Sequence, residues 1–145
     1  MPLSQVLELS NQSEKSVNRK VNSVKVIAVS KVQSNEKVEA VLKQGHRCFG
    51  ENRVQEAQAK WPSFKEKYKN IELHLIGPLQ TNKARQAFDL FDTIQTVDRS
   101  KLVKVFARLA QEKGFCPSLF IQVNTGEETQ KTGILPNELD SFIKE

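Results

Sequence analysis

Apolar residues recur along this chain in two alternating rhythms. Short, dense runs such as Val26-Ile27-Ala28-Val29-Ser30 are separated by longer stretches in which they return every three or four positions. Five dense runs begin near Val24, Arg47, Ile71, Thr93 and Ser118, at an interval of about two dozen residues, which predicts five strands. The stretches between them predict helices. Ser34 stands where it would cap a helix carrying Val38, Val41 and Leu42, which Gly45 ends. Asn52 with Gln55 resembles a capping box ahead of Val54, Ala57 and Trp61. Ala84, Ala87, Phe88 and Phe91 mark a third helix. Leu102, Val105, Phe106, Leu109 and Ala110 form the stripe of a fourth, stopped by Gly114. Pro136 suits the first turn of a last helix bearing Leu139, Phe142 and Ile143.

Strands alternating with helices of this length predict βα units and a parallel sheet. Two architectures compete, an open doubly wound sheet and a (β/α)₈ barrel. No GxGxxG follows the first strand, which weakens the dinucleotide-binding form of the open sheet. A barrel needs eight units and typically about 250 residues. The 145 residues supply five units and stop at Ile143-Lys144-Glu145, within an amphipathic pattern. The expected fold is therefore α/β, an incomplete (β/α)₈ barrel of about five βα units. Residues 1–145 are expected to form a single domain.

Composition narrows the classes without deciding among them. Hydrophobic content of 38% and charged content of 27% are ordinary for a soluble domain. No apolar run approaches the roughly 18 residues of a membrane span. Met1-Pro2-Leu3-Ser4-Gln5 lacks a basic region leading into a hydrophobic core, so no signal peptide is expected and the cytoplasm is the predicted location. The net charge is +5, but the basic residues alternate with acids, as in Glu36-Lys37 and Lys65-Glu66-Lys67. That is the pattern of solvated helix faces, so neither a nucleic-acid nor a membrane partner is expected. A small anionic ligand such as a phosphate ester fits the excess equally well. Cys48 and Cys116 belong to no CxxC pair and predict two small buried residues. His46 and His74 show no metal-ligand spacing, and no metal site is expected.

The candidate chemistry lies at the carboxyl ends of the predicted strands, where a barrel gathers its active site. Lys31 closes the first run and carries an amine from the core to whatever lies above it, the setting of a lysine that forms Schiff bases. The alternative is a lysine that snorkels to water. The second end gives Gly50-Glu51-Asn52. The third gives His74 and then Gly77 to Lys83, the fourth Asp98-Arg99, and the fifth Asn124 to Glu127. Taken singly, Asn52, Asp98 and Thr81 are plausible helix caps. Five polar ends converging on one lysine are harder to attribute to capping.

Four blocks carry a resemblance. Ala28-Val29-Ser30-Lys31, Phe49 to Glu56 (FGENRVQE), His74 to Lys83 (HLIGPLQTNK), and Val123-Asn124 leading to Lys131-Thr132-Gly133 resemble the pyridoxal-phosphate homeostasis protein family, which is related to the amino-terminal barrel of alanine racemase. The resemblance implies pyridoxal 5′-phosphate as cofactor, held as a Schiff base on Lys31, with Asn52 and His74 close to its ring. It implies cofactor binding and intracellular cofactor homeostasis rather than an established turnover. The chain departs from the family pattern at Leu73, where tryptophan is usual, and at Val32-Gln33-Ser34, where Thr-Lys-Pro is common. The family's phosphate-holding loops belong to its last third, which these 145 residues do not include.

Two other readings compete with cofactor carriage. A racemase using the same lysine needs an acid/base group on the opposite face of the cofactor. The single tyrosine, Tyr68, precedes the third strand and is remote from the strand ends. A fragment without cofactor binding is the other. Such a fragment, or a carrier of this length, is expected to expose the edge around Leu119-Phe120-Ile121-Gln122-Val123 and to self-associate through it.

Overall fold

The computed structural model describes residues 2–145. Each predicted apolar run contributes a strand: β1 (Ala28–Val29), β2 (Cys48–Glu51), β3 (Glu72–Leu75), β4 (Thr93–Val97) and β5 (Ser118–Ile121). Helix α1 (Leu3–Ser16) precedes β1. Helices α2 (Asn35–Lys43), α3 (Val54–Lys67), α4 (Ala84–Leu90) and α5 (Ser100–Lys113) connect successive strands, and α6 (Leu139–Lys144) follows β5. All strand pairs are parallel and the sheet order is β1-β2-β3-β4-β5. A doubly wound sheet reverses its winding at a switch point, whereas a barrel adds each strand beside the last. The sequential order is that of the barrel, and the sheet is not closed. The fold is an incomplete (β/α)₈ barrel.

Strand pleating sends alternate residues to opposite faces. Phe49, Leu73, Leu75 and Ile94 pack with Trp61, Phe64, Phe88, Leu102, Phe106 and Leu109 from the crossover helices into one core. Leu73 thus fills the layer between sheet and helices rather than lying under a site on the inner face. Gly114 ends α5 at φ +72°, where its amide donates to the Ala110 carbonyl, as its place after the apolar stripe predicted.

Several expectations fail at the edges of the sheet. The dense apolar run Val26 to Ser30 has the composition of a strand buried on both faces, yet β1 is two residues long and Val29 is 50% exposed. As the first strand of an open sheet it has a neighbour on one side only. The opposite edge is bare, as expected, with Leu119, Phe120 and Ile121 exposed. Cys116, expected to be buried, lies just before β5 and is exposed, while Cys48 is buried in β2. Asn52 and Gln55 form no capping box: α3 starts at Val54 with Arg53 in the cap position. Helix α1 was not predicted. Buried Glu14 ties it to the chain entering β1, accepting from the amides of Asn22 (2.7 Å) and Val24 (2.5 Å) and from the Ser23 hydroxyl (2.9 Å). No helix among the described residues is long and apolar enough to cross a membrane.

Candidate functional site

Strand register brings the predicted residues to one rim. Val29 pairs with Gly50, and Gly50 with His74. The amide of Ser30 donates to the Gly50 carbonyl (2.9 Å), and that of Ile76 to the Glu51 carbonyl (2.8 Å). Continued two steps, this register sets Lys31 level with Asn52. His74 lies two residues nearer the amino ends of the strands.

The three residues differ in what they offer. The Lys31 side chain is exposed, and its amine has no hydrogen bond or ion pair among the described residues. Lys25, by contrast, is held by Glu72 at 2.6 Å, and that hydrogen bond raises its pKa above the ordinary value. Asn52 is half-buried, and its Oδ1 is buried without a partner among the described residues. His74 is buried with both ring nitrogens engaged, Nε2 with Glu72 Oε1 and Nδ1 with the Gln95 amide, each at 2.9 Å. Lys31 therefore presents a free amine at the rim, Asn52 keeps an unpaired but buried oxygen beside it, and His74 is fixed below.

A buried polar network underlies Lys31. Fully buried Glu51 accepts at Oε1 from the Ser30 hydroxyl (2.8 Å), Lys60 Nζ (3.0 Å) and Trp61 Nε1 (3.0 Å). Lys60 also donates to the Ser30 carbonyl (2.9 Å) and to Glu56 Oε1 (3.0 Å). The peptide linking Ser30 to Lys31 is thereby anchored from below. The next residue, Val32, has φ +59°. For a β-branched residue this left-handed conformation costs roughly 1–2 kcal/mol. Its amide donates to Glu56 Oε1 at 2.6 Å, so Glu56 holds the turn in place.

Burial pushes the Glu56 carboxyl up, but hydrogen bonds from the Val32 amide and Lys60 outweigh it and hold the pKa below its ordinary 4.5. A carboxyl lowered in the folded state contributes stability that is present above its unfolded value and lost as pH falls through the folded one. Glu56→Gln is therefore expected to lower the melting temperature at neutral pH, with the gap to the parent protein closing as pH falls below 4.5. Thermal unfolding at two pH values checks this.

The loop after β3 is pinned against Asn52. A Cβ added to Gly77 would lie 2.2 Å from the Asn52 carbonyl oxygen and 2.7 Å from its Cα. Thr96 donates to the Gly77 carbonyl at 2.8 Å. Arg99 donates to the Leu79 carbonyl at 2.5 Å while pairing with Asp98. Between these loops lies a cleft of about 640 Å³ lined by Asn52, Arg53, Lys83, Asp98 and Arg99 among others, but not by Lys31 or His74.

Sequence reasoning missed Lys60, and it named Glu51 and Gly77 only as members of polar strand ends, without the buried network or the close approach they make. The signal for Glu51 was present as an acid closing a run whose every residue is buried. Buried carboxylates require a partner, and Lys60 stands one turn beyond Glu56 on the following helix.

The alanine racemase N-terminal domain family matches residues 12–145. The chain belongs to that family. Among alanine racemase N-terminal domain proteins it is similar to the pyridoxal phosphate homeostasis protein of Haemophilus influenzae, at 37% identity over 130 residues, covering 90% of this chain and 55% of the relative. The protein of the same name from Vibrio cholerae is 39% identical over 132 residues, again covering 55% of the relative. The chain thus spans about half the length of the curated relatives it matches. PipY of Synechococcus elongatus, solved with PLP bound, superposes with a TM-score of 0.76 at 33% identity, covering 94% of this chain and 62% of PipY. A protein from Bifidobacterium adolescentis gives 0.85 at 29% identity over 94% of this chain and 58% of the neighbour.

Proposed function

We propose that the chain is a pyridoxal 5′-phosphate-binding domain that takes part in intracellular homeostasis of that cofactor, with Lys31 as covalent anchor. The observation that carries the reading is a free strand-end amine, held on a buried hydrogen-bonded base, in a chain similar to proteins of that name and to PLP-bound PipY. Pyridoxal phosphate would supply an aldehyde carbon that condenses with a primary amine, and Lys31 is the residue that would hold it. Asn52, whose Oδ1 lacks a partner, would turn its side-chain amide to hydrogen-bond the ligand. His74, braced by Glu72 and Gln95, would support the ring from below. Residues 1–145 act as one cofactor-binding domain in the cytoplasm, and copies associate through the bare β5 edge.

Racemisation is disfavoured. Tyr68 ends α3, and its hydroxyl donates to Glu39 at 3.0 Å, at the amino end of the sheet and away from Lys31.

Absorbance titration with pyridoxal phosphate tests the proposal. The parent chain is expected to develop the band of a lysine-bound cofactor, and Lys31→Ala to show none. Asn52→Ala, which removes one hydrogen bond, should weaken binding by roughly tenfold. An unchanged band in Lys31→Ala would reject the anchor.

A further inference from the structure

On the inner face of the sheet, Cys48 of β2 lies beside Glu72 of β3 in register, and His74 follows two residues later on the same face of the pleat. The Cys48 thiol, a Glu72 carboxylate oxygen and a His74 ring nitrogen all lie within 4.8 Å of one another. Linear spacing does not show this meeting, because the register of two parallel strands creates it. We propose that Cys48, Glu72 and His74 form a binding site for a divalent transition-metal ion of the zinc class, in which the Lys25 ammonium occupies the place of the cation.

The donor set is one soft thiolate, one imidazole and one carboxylate, which selects zinc or cobalt over magnesium or calcium. In a tetrahedral site with metal–ligand bonds of about 2.0–2.3 Å, the ligand atoms stand roughly 3.5 Å apart. Side-chain rotation therefore closes the cluster without moving the strands. The imidazole is already oriented: Nε2 faces Glu72, and Gln95 meets Nδ1 at 2.9 Å. With its amide turned, Gln95 accepts from Nδ1–H through oxygen, which leaves Nε2 as the ligand.

Cation stabilisation is already built into this place. Lys25 Nζ lies 2.6 and 2.8 Å from the two Glu72 oxygens, yet its side chain is 58% exposed and can swing into water. Burial, followed by the Glu72 charge, pushes the Cys48 thiol up to about 11. A bound divalent ion reverses that penalty. The thiol proton leaves to solvent, sulfur bonds to the metal, Lys25 departs still protonated, and thiolate plus carboxylate balance the two positive charges. The fourth coordination position is left for a water molecule. The site shares His74 with the cofactor reading but uses neither Lys31 nor Asn52.

Cobalt(II) alone is the probe, since four-coordinate thiolate-bound cobalt absorbs visibly and zinc does not. Titration of the 145-residue chain is expected to produce these bands, and added zinc to remove them. Cys48→Ser and His74→Gln should abolish them with far-ultraviolet circular dichroism unchanged, while Cys116→Ser keeps them. Gln95→Leu should weaken binding by about 10–100-fold. Lys25→Met should tighten it severalfold, an outcome that a purely structural ion pair does not produce. Should either ligand variant fail to fold, zinc protection of Cys48 from alkylation in the parent chain replaces that comparison. No bands in the parent chain, bands surviving in Cys48→Ser, or bands lost in Cys116→Ser would overturn the site.

Discussion

Lys60→Met is expected to cost the fold about 3–5 kcal/mol, the penalty for removing one partner of a buried ion pair. Lys60 and Glu51 are both buried and 3.0 Å apart, and Glu51 keeps a second oxygen without a partner among the described residues. Taking away the ammonium leaves a carboxylate in the core with only the Ser30 hydroxyl and the Trp61 indole to satisfy it. The Ser30 carbonyl loses its donor in the same step. Replacing both charges with apolar side chains of similar volume should recover much of the stability. The double variant Glu51→Met/Lys60→Met is therefore expected to unfold near the parent midpoint in urea, yet to bind pyridoxal phosphate poorly because the peptide before Lys31 is unanchored. A Lys60→Met unfolding free energy within about 1 kcal/mol of the parent's would mean that the pair does not hold the strand end.

Gly77→Ala is expected to destabilise by about 3 kcal/mol, at the upper end of ordinary overpacking. The added methyl would sit 2.2 Å from the Asn52 carbonyl oxygen and 2.8 Å from its carbonyl carbon. These are backbone atoms and cannot rotate aside. The loop after β3 must separate from the β2 end, which also displaces Asn52 from the rim. Gly50→Ala provides the contrast. Its methyl would meet the Ile27 side chain at 3.0 Å and that of Ile76 at 3.2 Å. Both can shift, so the cost there should be clearly smaller. Denaturant unfolding of the two variants side by side measures the difference, and equal costs would contradict the close approach at Gly77.

The fold was largely legible because the period of apolar residues alternates between five strand runs and five helical stretches, and each became an element. The sequential strand order, which separates barrel from doubly wound sheet, is a tertiary property that the residues express only through repeat length and the absence of a glycine-rich first turn. Errors cluster where neighbours are lacking. Val29 and Cys116 have the composition of buried residues but lie at the two uncovered edges. Asn52 carries a capping residue's chemistry but lies one position too early to cap α3. Its free oxygen is more informative than a cap would have been. Lys31 was readable from its place at the end of a run, whereas the network beneath it was not. Glu51, Lys60 and Ser30 meet through the return of α3 over β1 and β2, and no local pattern encodes that. Cys48 and His74 were set aside on linear spacing and meet through strand register.

The central claim is that Lys31 alone anchors the cofactor. The most direct measurement is borohydride reduction of the chain incubated with pyridoxal phosphate, followed by peptide mapping. Lys31 combines a free amine with a fixed backbone, while Lys25 and Lys60 are committed to carboxylates. The label should fall on Lys31 and disappear in Lys31→Ala. Label on Lys25 or Lys60, or label undiminished in Lys31→Ala, would contradict it.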